Sequence, residues 1–316
     1  MSGRDSLKSG ALLLLGVLAL SVTACSTPSV KPSGESAFSE LYAGKSGLLH
    51  GTQLPPSSAQ EAISRGDAAV DSGDLDRALF EYIRALDFDP HDADVLYKIG
   101  AIHAYRDNTR LAELAFRWAL REDPKNPGAL QGLGILLLQR RDYDEAGRLL
   151  SEAVQIQPRL WRAHNALGVI ADLRQDFHTA QNHYEQALSV LPNSAMLLNN
   201  LGYSQYLSGD WSAAIQSMKS ALTINSDYHL AWRNLALIYT RKGRYAEAVE
   251  ALSKTEDVAK AYNDVGYVSL VDGRLDEAEG LFEEAMRLSP TFYVMASENA
   301  ERVRLLKDLS PSYAKR

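Results

Sequence analysis

Few side chains in this 316-residue chain are placed to do covalent or metal chemistry. It holds one thiol, Cys25. Its closest histidines, His178 and His183, are five apart, a turn of about 500° on a helix, which points them to different faces. Structural zinc wants four converging ligands, so no metal site is expected. No G-x-S-x-G, P-loop or H-E-x-x-H run is present, and the many carboxylates fall on helix faces and in turns. Neither an enzyme nor a cofactor is expected. What recurs is the amide. Asn165, Asn199 and Asn263 stand at one place of a repeating frame, Asn200 and Asn234 stand at the next, and Arg233 takes the first place in their company. Tyr203 and Tyr267 follow three or four residues on. Asparagine carries a donor pair and an acceptor on a short arm, and a column of them can bond the main chain of an extended peptide. Tyrosine adds flat apolar area and a hydroxyl. The chemistry on offer is recognition. The same residues have a second reading, in which the asparagines bond neighbouring backbone turns and the tyrosines simply pack.

The frame that positions them is 34 residues long. With Gly168 at the eighth place, Gly66, Gly100, Gly134, Gly202 and Gly266 align. Alanine fills the twentieth place throughout, from Ala78 to Ala278, and most of the twenty-seventh. Between the two alanines sits a large apolar residue such as Tyr82, Phe116, Tyr184 or Phe282. Pro90, Pro124, Pro158, Pro192 and Pro290 close five units. Glycine and alanine let helices approach, the large residue fills the gap, and proline ends the second helix. One helical pair cannot bury its own apolar face, so the units must stack. Spacing, glycine, alanines and proline together resemble the tetratricopeptide repeat. The resemblance implies an all-α, right-handed solenoid of about seven repeats, over residues 59–292, with a capping helix and tail over 293–316. In such repeats the second, fifth, ninth, twelfth and thirteenth places of the first helices often face the groove. Asn165, Asn199, Asn263, Arg233, Tyr203 and Tyr267 occupy such places, with Asn200 and Asn234 one place beyond the fifth, most densely from the fourth unit to the seventh. The sixth unit, from His229, is four residues short and has Ala236 in the glycine place. A shortened second helix with a bend is expected there, or else a break into two domains.

Residues 1–24 read as an export signal: Arg4 and Lys8, then an apolar run from Gly10 to Leu20 too short to span a bilayer. Val22, Thr23 and Ala24 before Cys25 resemble the bacterial lipobox, which implies a diacylglycerol on the Cys25 sulfur. A plain cleaved signal with an incidental cysteine is the alternative. Ser26, rather than aspartate, after the cysteine implies sorting to the periplasmic face of the outer membrane. Residues 25–58, rich in serine and proline, are expected to be the lipidated cysteine and a solvated tether. Leu41, Tyr42, Leu48 and Leu49 could instead dock on the first unit.

The formal charge is −7, from 33 basic and 40 acidic residues, with no basic stripe along the repeats. Nucleic acid is therefore not an expected partner, and the membrane is met only through the lipid. Lipobox, array and the ending GYVSLVDGRLDEAEGLFEEAMRLSPTFYVMASENAERVRLL together resemble the TadD lipoproteins of the tight-adherence (Flp) pilus machinery. That resemblance implies a protein partner, the outer-membrane secretin, and a pilotin role. Two rival families carry similar parts: type IV pilus pilotins, and adaptors for peptidoglycan enzymes.

Overall fold

The computed structural model describes residues 41, 54–289, 291 and 293–313. Cys25, the signal, most of the tether, Pro290 and the last three residues lie outside the described residues. Every element among the described residues is helical. Seven hairpins follow one another: α1 (Ala59–Asp71) with α2 (Leu75–Phe88), α3 (Ala93–Tyr105) with α4 (Thr109–Glu122), α5 (Pro127–Gln139) with α6 (Tyr143–Ile156), and α7 (Trp161–Leu173) with α8 (Phe177–Val190). Then come α9 (Ala195–Leu207) with α10 (Trp211–Ile224), α11 (His229–Arg241) with α12 (Tyr245–Leu252), and α13 (Val258–Val271) with α14 (Leu275–Leu288). A last helix, α15 (Val294–Tyr313), packs on α14 and α13. From α3 onward each first helix also touches the first helix of the next unit, so these helices form one continuous layer. This is an all-helical solenoid of stacked pairs.

Local chemistry sets the helix ends. Asp74, Asp142, Asp176 and Asp210 each accept a hydrogen bond from a backbone amide in the first turn of α2, α6, α8 and α10. Ser58, Asp92, Asn126, Ser194 and Asp257 do the same for α1, α3, α5, α9 and α13. Each such cap satisfies an amide that the helix leaves orphaned. Prolines 90, 124, 158 and 192 each follow a helix C-cap directly, where no further helical hydrogen bond is needed. In the fifth unit Ser226 replaces proline, and its carbonyl accepts instead from Trp232 Nε1 at 2.8 Å. Within each turn a left-handed residue reverses the chain. Four units use glycine there, including Gly73 and Gly209, but Asp107 (φ 57°), Arg141 (φ 66°) and Gln175 (φ 61°) take it with a side chain.

Within a unit the eighth-place glycine is a seat for the large residue of the second helix. A Cβ on Gly168 would stand 2.6 Å from Tyr184 Cε1, closer than any real contact allows. Gly66 with Tyr82, Gly100 with Phe116 and Gly266 with Phe282 repeat the arrangement. The sixth unit has its shortened helix, α12, of eight residues. One apolar cluster nonetheless runs from Tyr206 through α12 to Leu281, so the core is not broken there. It is interrupted elsewhere. A cluster from α1 ends at Ile170 on α7, and the next begins at Tyr206 on α9. Between them lie a small group, Ala171, Ala180, Tyr184 and Leu201, and several polar side chains. There the Tyr184 hydroxyl donates to Asp172 Oδ2 at 2.8 Å and Ser204 donates to Asp172 Oδ1 at 2.6 Å.

One expectation needs correction, and the C-terminal helix shows which face it buries. Leu41 is not part of a solvated tether: it is fully buried in the core cluster, and its carbonyl accepts from His103 Nε2 at 2.7 Å. On α15 the buried face is Ala296, Ala300 and Val303, whereas Val294 is half exposed. Lys307 bonds Asp276 and Glu279 of α14 at 2.6 Å, and Arg304 reaches Glu279 and Glu283.

Candidate peptide-binding groove

The first helices α7, α9, α11 and α13 present the amide column. Its members bond one another rather than the backbone. Asn200 Nδ2 donates to Asn165 Oδ1 at 2.8 Å, and Asn199 Nδ2 donates to Asn200 Oδ1 at 3.4 Å. Asn234 Nδ2 donates to Asn199 Oδ1 at 2.9 Å. The result is a ladder across three helices. A second, shorter one runs from Asn299 Nδ2 to Asn263 Oδ1 at 3.2 Å and from Asn263 Nδ2 to Asp264 Oδ1 at 3.1 Å. Asn199 and Asn263 are buried, so they form the floor, while Asn165, Asn200 and Asn234 are half-buried. The Asn165 amide hydrogens and the Asn234 carbonyl oxygen have no partner among the described residues. One end of the ladder therefore offers donors and the other an acceptor. Arg233 is exposed and makes no hydrogen bond or ion pair among the described residues.

Beside the ladder runs an apolar stripe. Tyr203 and Tyr267 are 39% and 48% exposed at the ninth place, with half-buried Val169 and Leu237 in the same column. At the thirteenth place stand Leu173, Leu207 and Val271, the last 64% exposed. These thirteenth-place residues were missed in the sequence. The signal was there: each lies one helical turn beyond a groove-facing apolar residue. Arg241 interrupts the column on α11, with its guanidinium 5.7 Å over the Tyr206 ring and 3.3 Å from Asp272. A second apolar cleft of about 630 Å³ opens between α1 and α3, around Val70, Tyr97 and Tyr105, outside the stretch where the amides are densest.

The histidines are arranged differently from the pair considered in the sequence. His183 faces His164, with their Nδ1 atoms 3.1 Å apart. His164 Nε2 is 3.1 Å from the Pro158 carbonyl, so it donates there and leaves its Nδ1 to accept from His183. Burial, and then the neighbouring His164, lower the His183 pKa from its usual value. Among the described residues no three histidines, cysteines or carboxylates gather in a metal-binding group. Burial raises the Asp172 pKa above the ordinary aspartate range, despite the two hydroxyls it accepts. The groove thus offers amide hydrogen bonding, apolar area and the guanidinium of Arg233.

Comparison with known families fits this geometry. Models described as tetratricopeptide or TPR repeats match residues 66–104, 97–160, 165–229 and 205–261. The chain belongs to the tetratricopeptide-repeat family. The type IV pilus assembly protein PilF of Pseudomonas aeruginosa is 29% identical over 93 residues, 29% of this chain and 37% of that one. The alignment thus spans little more than a third of this relative. The solved structure of Pseudomonas aeruginosa PilF has a TM-score of 0.50 at 19% identity, over 66% of this chain and 98% of that one. A tetratricopeptide-repeat protein from Parabacteroides merdae has 0.52 at 18%, over 79% of this chain and all of that one. YrrB, described as a TPR protein with an unusual peptide-binding site, has 0.50 at 16%, over 61% and 97%. At these identities the structures share the fold.

Proposed function

We propose that this protein is a non-enzymatic adaptor that holds a segment of a client protein in the groove from α7 to α15. The observation that carries the reading is the apolar stripe of Leu173, Tyr203, Leu207, Tyr267 and Val271, left open beside an ordered amide ladder. A monomer gains nothing by exposing aligned large apolar side chains, and such a patch marks a binding surface. The ladder orients, and the stripe supplies area.

The client is a component of a pilus secretion apparatus. In this reading the protein is the pilotin of a tight-adherence pilus secretin, tethered by lipid on Cys25 to the periplasmic face of the outer membrane. The lipobox and the C-terminal sequence support that assignment. The local similarity to a type IV pilus assembly protein favours a second reading, the same task for a type IV pilus. Co-purification from solubilised envelope separates the two, since the secretin recovered belongs to one system or the other. Cys25→Ala should mislocalise that secretin. Leu207→Asp with Tyr267→Ala should abolish its recovery with the helical circular dichroism unchanged. If the secretin is recovered equally with the groove variant, the groove is not where it binds. If cell-wall enzymes come down without any secretin, the pilotin reading fails.

A further inference from the structure

The groove ends in a cleft of about 520 Å³ between α13 and α15, lined by Asn263, Asp264, Tyr267, Met295, Glu298 and Asn299 among others. Its ionisable lining is acidic only. Glu298 is exposed and makes no hydrogen bond or ion pair among the described residues. Asp264 lies 3.6 Å from Lys260, but that ammonium is bonded more closely to Glu256, so it offsets only part of the charge. Two exposed apolar groups flank the carboxylates: the Tyr267 ring and the Met295 thioether, 48% and 52% exposed. At the floor Asn299 donates to Asn263, and its own Oδ1 has no partner among the described residues.

We propose that this cleft takes an arginine or lysine side chain of the client, next to an apolar residue that packs on Met295. The inference rests on the groove reading above and names what its C-terminal end selects. A guanidinium can lie on the Tyr267 face while its N–H groups meet Glu298, Asp264 and Asn299 Oδ1. An acidic side chain would meet two carboxylates, and a neutral polar one would leave the apolar walls unmatched. A bare divalent cation wants six or more converging oxygens and has no use for a tyrosine face and a thioether.

The test is to pan random peptides displayed on phage against the purified full chain, and against Asp264→Asn with Glu298→Gln. Both changes keep size and hydrogen bonding, and matching thermal melts establish that the variant is folded. Peptides selected by the natural chain should be enriched in arginine or lysine beside an apolar residue, and the enrichment should vanish with the variant. A selected peptide should lose about tenfold in affinity to the variant by fluorescence polarisation, and its binding to the natural chain should weaken with salt. Tyr267→Ala should reduce the preference for arginine over lysine. Binders without basic enrichment, or enrichment unchanged in the variant, overturn the cation subsite and leave the groove reading standing. Recovery of no binders by either protein overturns both.

Discussion

The asparagines show how little a residue type says until its partners are known. Asn199 is buried and serves two neighbours at once, accepting from Asn234 and donating to Asn200. Asn199→Ala should therefore cost about 1–2 kcal/mol in urea unfolding, because it strands amide groups on both sides. Gln175 is a different case. Its left-handed backbone suits glycine, and Gln175→Gly should gain about 0.5 kcal/mol, the relief of strain being partly offset by a more flexible unfolded chain. His183 gives a pH dependence. Its folded-state pKa is depressed, so its contribution to stability is present above the unfolded value of 6.5 and lost as pH falls through the folded one. His103, fully buried against Leu41 and lowered by that burial, acts in the same direction. Melting temperature should fall between neutral pH and mild acid, and His183→Gln should make that fall shallower. An equal slope in both proteins would remove His183 as a cause.

At the scale of the helix pair, glycine is two different residues. Gly168→Ala drives a methyl into Tyr184 and should cost about 1–3 kcal/mol. Gly147 on α6 and Gly280 on α14 have nothing beyond their own stretch of helix within 4 Å of a would-be Cβ, so alanine there should stabilise by about 0.5–1 kcal/mol. Chemical denaturation of the three variants checks both signs. The seat for the large residue was legible in the sequence, because glycine and its partner recur in a fixed frame set by local helix geometry. The caps were legible for the same reason, as Asp and Asn fell in the turns. The asparagine ladder was visible only as a column. That its members bond each other depends on how closely α7, α9 and α11 approach, which spacing along the chain does not record. Leu41 could be named from the sequence as a docking candidate, but its serine- and proline-rich surroundings favour solvent until a pocket on the repeats is known to exist.

Across the whole array the short sixth unit drew attention in the sequence, yet the structure bridges it. Arg274, which replaces the usual aspartate cap, donates to the Thr240 carbonyl at 2.9 Å and the Arg241 carbonyl at 2.6 Å, tying the end of α11 to the turn before α14. The polar seam from α7 to α9 should be the weak place, because α8 buries only Ala180, Tyr184 and Ala187. Hydrogen exchange should find amides of α8 opening more readily than those of α4 or α10, whose neighbours are apolar. Uniform protection along the array would contradict that. The seam also has a mechanical meaning. Pulled from its two ends, a stack whose units touch only their neighbours is a row of springs in series, and the softest joint takes up the extension. Hydroxyl–carboxylate bonds at 2.6 and 2.8 Å are short-ranged and directional, so they fail after a small displacement, whereas interdigitated side chains slide and hold. Tension on the array would thus separate Asn165 from Asn200 first, parting the amide ladder at its first rung while the rungs beyond stay closed.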